Sequence, residues 1–164
     1  MNYILNHKQI VEKINRLAHE ILENTFEEST LFIVGISGNG SLLAKELTDV
    51  MKKFSDQHIV VFELTVDKEN PWDHPIHLSI NQREIKNGYI ILVDDVLNSG
   101  KTMQYALVKL LEQPTKSIKT VALVDRTHRR YPIKADFVGL SLSTTMKERV
   151  EVSLSDDNFH AYLV

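Results

Sequence analysis

Between Ile90 and Thr102 the chain reads Ile-Ile-Leu-Val-Asp-Asp-Val-Leu-Asn-Ser-Gly-Lys-Thr. An apolar run meets two adjacent carboxylates, Asp94 and Asp95, and then a turn of small residues that opens a helical pattern. At the carboxyl end of a parallel strand, such a turn aims several backbone N–H groups and the positive end of a helix dipole at one point, which suits a phosphate. The hydroxyls of Ser99 and Thr102 add hydrogen-bonding capacity, and Gly100 lets the backbone approach closely. Asp94 and Asp95 can accept hydrogen bonds from vicinal sugar hydroxyls about one ribose length from that phosphate. The same spacing also fits an acidic strand end followed by a capped helix with no ligand at all.

Other motifs fall away on their spacing. Gly35-Ile36-Ser37-Gly38-Asn39-Gly40 has Asn39 where a nucleophile elbow needs glycine, and its glycines are misplaced for a dinucleotide fingerprint. Gly100-Lys101-Thr102 matches the end of a Walker loop, but the glycine required five residues earlier is Asp95. Asp73, His74 and His77 are three potential metal ligands in five residues, with no fourth ligand in view, so no protein metal site is expected there. His128, Arg129 and Arg130 form a basic cluster that reads either as a solvated turn or as part of an RNA-binding surface, which Lys13 and Arg16 could extend.

The elements that must position these residues follow from periodicity. Ile10, Val11, Ile14, Leu17, Ala18, Ile21 and Leu22 share one face of a 3.6-residue repeat, predicting a helix over 7–24 with Asn6 as its cap. Continuous apolar runs at 31–36, 59–66, 89–94 and 121–124 read as strands buried on both faces, alternating with helical stretches at 41–54 and 102–111. That alternation predicts an α/β fold, a mostly parallel Rossmann-like sheet with helices on both faces. After Asp125 the rhythm shifts to short strands at 135–142, 149–154 and 159–164. The stretch Asn70–Gly88 lacks periodicity and reads as a lid or binding loop.

Composition sets the outer limits. The 164 residues, 43% hydrophobic and 25% charged, suit one domain over 1–164, with roughly 70% of the extended chain's surface buried on folding. A net charge of -3 lacks the basic excess of a dedicated nucleic-acid binder. No cysteine is present, so disulfides and thiol nucleophiles are excluded. No apolar run reaches the 18 residues needed to span a bilayer, and Met1-Asn2-Tyr3 opens into a charged amphipathic stretch unlike a signal peptide, so a cytoplasmic protein without membrane partners is expected.

The segment Val93–Thr102 resembles the signature of type I phosphoribosyltransferases, in which two acidic residues precede a small-residue loop ending in Gly and Thr. The stretch Ala122–Gly139 is similar to that of the pyrimidine-operon attenuation regulators that double as uracil phosphoribosyltransferases, and register is kept from about Ile10 onward. The resemblance implies that Asp94 and Asp95 hold the ribose hydroxyls of phosphoribosyl diphosphate and that Asn98, Ser99, Gly100, Lys101 and Thr102 surround its 5-phosphate. It places Ser37, Gly38, Asn39 and Gly40 at the pyrophosphate loop, where the family usually has a basic residue. Lys68 stands in the catalytic loop at a position usually held by Arg, keeping the charge without the bidentate fork. Asp125, Arg126 and Val138, with the 141–147 segment, are implied at the base.

The implied reaction displaces pyrophosphate from the anomeric carbon with a ring nitrogen of a base, with Mg2+ as cofactor. Related hypoxanthine-guanine enzymes have a lysine at the place of Asp125, donating to the purine 6-oxygen. A carboxylate cannot donate there, so uracil or another pyrimidine is expected. The alternative reading is an RNA-binding, nucleotide-sensing regulator of pyrimidine genes with little activity, favoured by Ser37, Asn39 and Lys68. Phosphoribosyl diphosphate, a nucleobase and RNA are the partners implied, in a homodimer or larger homo-oligomer.

Overall fold

A computed structural model describes residues 2–145, 147–155 and 157–164. Met1, and Met146 within the 141–147 segment implied at the base, lie outside the described residues. Helix α1 (His7–Thr25) starts at Asn6, whose side chain accepts from the Gln9 amide while the Gln9 side chain accepts from the Asn6 amide. This reciprocal cap satisfies two amides that the first turn leaves without partners. Ile10, Ile14, Leu17, Ala18 and Ile21 form its buried stripe.

Strands β2 (Thr30–Ile36), β3 (His58–Thr65), β5 (Tyr89–Leu97), β6 (Ser117–Asp125) and β7 (Phe137–Ser141) are parallel, in the order β3-β2-β5-β6-β7, and the short β4 (His77–Leu78) pairs antiparallel at the β3 edge. Helices α2 (Asn39–Phe54) and α3 (Lys101–Leu110) complete the crossovers. Alternate residues of β5 serve the two faces: Ile91 and Val93 pack with α1 and α2, Ile90 and Leu92 with Met103, Ala106 and Leu110 of α3. Helices thus cover both faces of a mostly parallel sheet, as the periodicity predicts. No helix among the described residues is long and apolar enough to cross a membrane.

Three features differ from the sequence reading. Strand β5 continues through both carboxylates to Leu97, because β6 offers a ladder as far as Leu97 opposite Asp125. The 70–88 stretch is partly built: β4 pairs with β3, a 3-10 turn covers Gln82–Ile85, and Ile85 is fully buried with Ile76, Leu78 and Ile80 packed against the same core. Its irregular spacing hides these short pieces. Finally, β1 (Asn2–Leu5), absent from the reading, joins β8 (Val150–Ser153) and β9 (His160–Leu163) in a separate antiparallel sheet of order β1-β9-β8.

Candidate active site

In the sheet order, the chain turns to one side after β2 and to the other after β5, so a topological switch point lies between these central neighbours. Loops at the carboxyl ends of two such strands diverge and leave a crevice. A cavity of about 520 Å3 occupies it, lined by Asn39, Lys68, the 94–103 segment and Val150, Glu151 and Val152 of β8.

Asp94 is 4% exposed. One of its carboxylate oxygens accepts from the Asp95 amide at 2.9 Å and faces Lys68 Nζ at 3.4 Å. Burial, and then the neighbouring Asp95 charge, push its pKa up to about 8 against the opposing pull of Lys68. Asp95 accepts at Oδ1 from the Val96 amide and at Oδ2 from Asn39 Nδ2, at 2.8 and 3.0 Å. The Asn39 amide nitrogen also donates to the Val152 carbonyl at 2.7 Å, tying the start of α2 to both Asp95 and β8.

At Gly100 and Gly40 the site's geometry requires glycine. Gly100 caps α3 with φ 88°, and a Cβ there would lie 2.2 Å from Ile133 Cγ2. Gly100 has no side chain to cap α3; the Lys101 amide donates to Ser99 Oγ at 3.3 Å, and the other amides of the first turn remain available beside the cavity. Gly40 lies against β5, where a Cβ would come within 2.8 Å of the Val93 carbonyl oxygen and 3.1 Å of Asp94 Oδ1. Close approach of the start of α2 to β5 therefore depends on its bare backbone. Gly38 caps α2 with φ 92°. Lys101 leans away from the turn: its Nζ donates to the Glu69 carbonyl at 3.3 Å and sits 5.7 Å from the centre of the Trp72 ring.

Of the residues singled out from the sequence, Asn39, Lys68, Asp94, Asp95 and 98–102 line this one cavity, with Ser37 and Gly38 in the adjoining turn and Gly40 in the first turn of α2. Asp125 and Arg126, at the carboxyl end of β6, lie beside it, and Val138 sits near the start of β7; none of the three lines it. Arg126 is buried and donates to Thr144 Oγ1, Asn98 Oδ1, and the carbonyls of Thr145 and Glu148. It ties the 144–148 segment to the small-residue turn. Asp125 accepts from Arg129, and the Val138 carbonyl accepts from Arg16.

The sequence reading places a strand at 149–154, found as β8, but gives it no part in the site. Arg149 and Val164 exchange both backbone hydrogen bonds, so antiparallel alternation turns the N–H and C=O groups of Val150 and Val152 to the free edge of the strand. That edge lines the cavity, and its backbone groups carry no mark in the residue types.

The sequence matches the phosphoribosyl transferase domain family over residues 1–156. It is 34% identical over 162 residues to the bifunctional protein PyrR of a Geobacter species, covering 94% of this chain and 92% of that protein. The PyrR of Streptomyces coelicolor is 32% identical over 163 residues, with 94% and 84% covered. In three dimensions the chain resembles a hypoxanthine-guanine phosphoribosyltransferase from Bacillus anthracis, with TM-score 0.79, 18% identity, and coverage of 100% of this chain and 98% of the other. A hypoxanthine phosphoribosyltransferase of Trypanosoma cruzi gives TM-score 0.77 at 15% identity, with 99% and 96% covered.

Proposed function

The chain belongs to the phosphoribosyl transferase domain family, and on that premise we propose that it transfers the phosphoribosyl group of phosphoribosyl diphosphate to uracil or a related pyrimidine, releasing pyrophosphate, with Mg2+ as cofactor. The observation that carries this reading is the adjacency, in one cavity, of the Asp94–Asp95 pair, the start of α3 and the outer edge of β8.

Each part has a distinct task. The amides of Asn98–Thr102 and the α3 dipole receive the 5-phosphate. Asp94 and Asp95 accept from the ribose hydroxyls and fix the sugar. The loop Ser37–Gly40 and Lys68 face the pyrophosphate, whose departure breaks the bond to the anomeric carbon as a ring nitrogen of the base bonds there and gives up its proton. The transition state has oxocarbenium character, so donors that meet the growing charge on the leaving group lower the barrier, and exclusion of water strengthens them.

Among the described residues no group of three or more His, Asp or Glu side chains is arranged to hold a metal. Mg2+ binds through few protein ligands when a substrate supplies phosphate oxygens, and two carboxylates beside an anion cradle fit an ion shared in that way. When bound, it neutralises charge on the departing pyrophosphate.

The base lies against β8. A pyrimidine edge presents alternating C=O and N–H groups, which the Val150 backbone and the Val152 N–H can answer beside the Val152 carbonyl that Asn39 holds. Asp125, engaged with Arg129, offers no donor to a purine 6-oxygen. The protein acts in the cytoplasm as one domain over 1–164, in a homodimer or larger homo-oligomer.

The word bifunctional in the relatives' name supports a second reading, an RNA-binding regulator that senses nucleotides through the same cavity. Arg130 is exposed and available to such a surface, whereas Arg129 is committed internally.

Titration of the isotopically labelled protein with uridine monophosphate tests the site. The reading expects the amide resonances of Asn98–Thr102 and Val150–Val152 to shift together. Saturating nucleotide that leaves both groups unmoved would contradict it.

A further inference from the structure

The turn at 97–100 does not hold its own shape. Segment 126–131 donates to it repeatedly: the Arg126 amide to the Leu97 carbonyl at 3.0 Å, and the Arg130 and Tyr131 amides to the Ser99 carbonyl at 2.9 and 3.0 Å. The Asn98 carbonyl is taken by Arg129 Nη1 at 2.6 Å. Across a planar trans peptide, each carbonyl points opposite to the next residue's N–H. Turning the carbonyls of Leu97, Asn98 and Ser99 towards this brace therefore turns the amides of Asn98, Ser99 and Gly100 the other way, towards the cavity.

Within the brace, Arg129 is the side chain on which the contacts converge. Its Nε donates to the Ile133 carbonyl at 2.9 Å, and its Nη2 pairs with Asp125 Oδ1 at 2.6 Å. The pair is largely shielded, with side chains 24% and 13% exposed. Asp125 Oδ1 also accepts from the Thr127 amide at 2.9 Å. Thr127 itself has φ 62°, a left-handed conformation disfavoured for a β-branched residue. Such strain persists only where surrounding contacts over-determine the backbone. Ile133, bonded to Arg129, is the residue that presses on Gly100.

We infer that Arg129 is a positioning residue for the 5-phosphate. Fixed by Asp125, its guanidinium holds the Asn98 peptide so that the amides of the turn converge on the ligand. This assignment rests on the proposed phosphate role of Asn98–Thr102, and it gives Asp125 a task in the brace that is separate from reading the base. Lysine cannot substitute, since one ammonium cannot span Asp125, Asn98 and Ile133 in a fixed plane.

Calorimetric titration with ribose 5-phosphate, paired with steady-state kinetics, tests the inference on the full chain. Arg129→Ala and Arg129→Lys are expected to lose about tenfold in ribose 5-phosphate affinity, the scale of one charge-assisted hydrogen bond. KM for phosphoribosyl diphosphate should rise with little change in KM for uracil, and added guanidinium ion should restore affinity in Arg129→Ala. Asp125→Asn should show the same selective rise. Wild-type affinity in Arg129→Ala would overturn the inference alone, as would equal losses for both substrates without rescue. Failure of the wild-type protein to bind ribose 5-phosphate would overturn the phosphate role of the turn, and the inference with it.

Discussion

Asp94 combines deep burial with a neighbouring like charge and a cation at 3.4 Å. Its pKa stands at about 8 against an ordinary 3.8, so between about pH 4 and 8 the folded protein keeps a proton that the unfolded chain has released. Stability therefore falls as pH rises through that window, and Asp94→Asn should flatten the fall in urea denaturation midpoints. An unchanged slope in the variant would place the titration elsewhere. Ribose hydroxyls donate to the ionised carboxylate, so affinity for phosphoribosyl diphosphate should also rise as pH approaches 8 from below. Asp94→Asn and Asp95→Asn should each weaken that affinity by about 1.5 to 3 kcal/mol with the fold intact by circular dichroism. Equal affinity in both variants would remove the sugar-binding role. The carboxylate pair was legible in the sequence as a doublet at a strand end. The roles that Arg126 and Arg129 play in the structure were not, because their partners are mainly backbone carbonyls from distant segments.

At the level of elements, the long apolar runs and the helical stripes were legible because burial on both sheet faces writes continuous hydrophobicity into the chain. The strands at 149–154 and 159–164 were legible too, but β1 and its pairing into a small sheet were not, since β1 is four residues long and joins β9 across almost the whole sequence. The 67–75 segment between β3 and β4 lies next to the cavity, with Lys101 holding the Glu69 carbonyl and the Trp72 ring. Trp72 is 60% exposed and is the single tryptophan of the chain, so its fluorescence reports on this segment without interference. Phosphate at the start of α3 competes for the Lys101 ammonium, and a lid closing over ligand moves the indole. Phosphoribosyl diphosphate should therefore shift Trp72 emission and slow hydrogen exchange over 67–75. Unchanged emission and exchange would mark an ordinary rigid loop.

For the whole molecule, the net charge of -3 argues against a large basic footprint, while exposed Arg130 leaves room for a local one. Salt separates the two readings: RNA held through several phosphates would lose affinity steeply with rising salt, whereas weak, salt-insensitive binding would leave catalysis as the function. Specificity is also a property of the assembled molecule, because the 97–100 turn, the Asp125–Tyr131 brace that holds it and the β8 edge come from three different parts of the chain. A buried polar mismatch at a purine 6-oxygen costs roughly 1 to 3 kcal/mol, enough for about ten- to hundredfold discrimination. Pyrophosphate release from phosphoribosyl diphosphate and Mg2+, measured with uracil, cytosine, guanine and hypoxanthine under matched conditions, tests the central claim most directly. Release with uracil at least about tenfold faster than with either purine is the predicted result. Faster release with guanine, or none with any base, would contradict it.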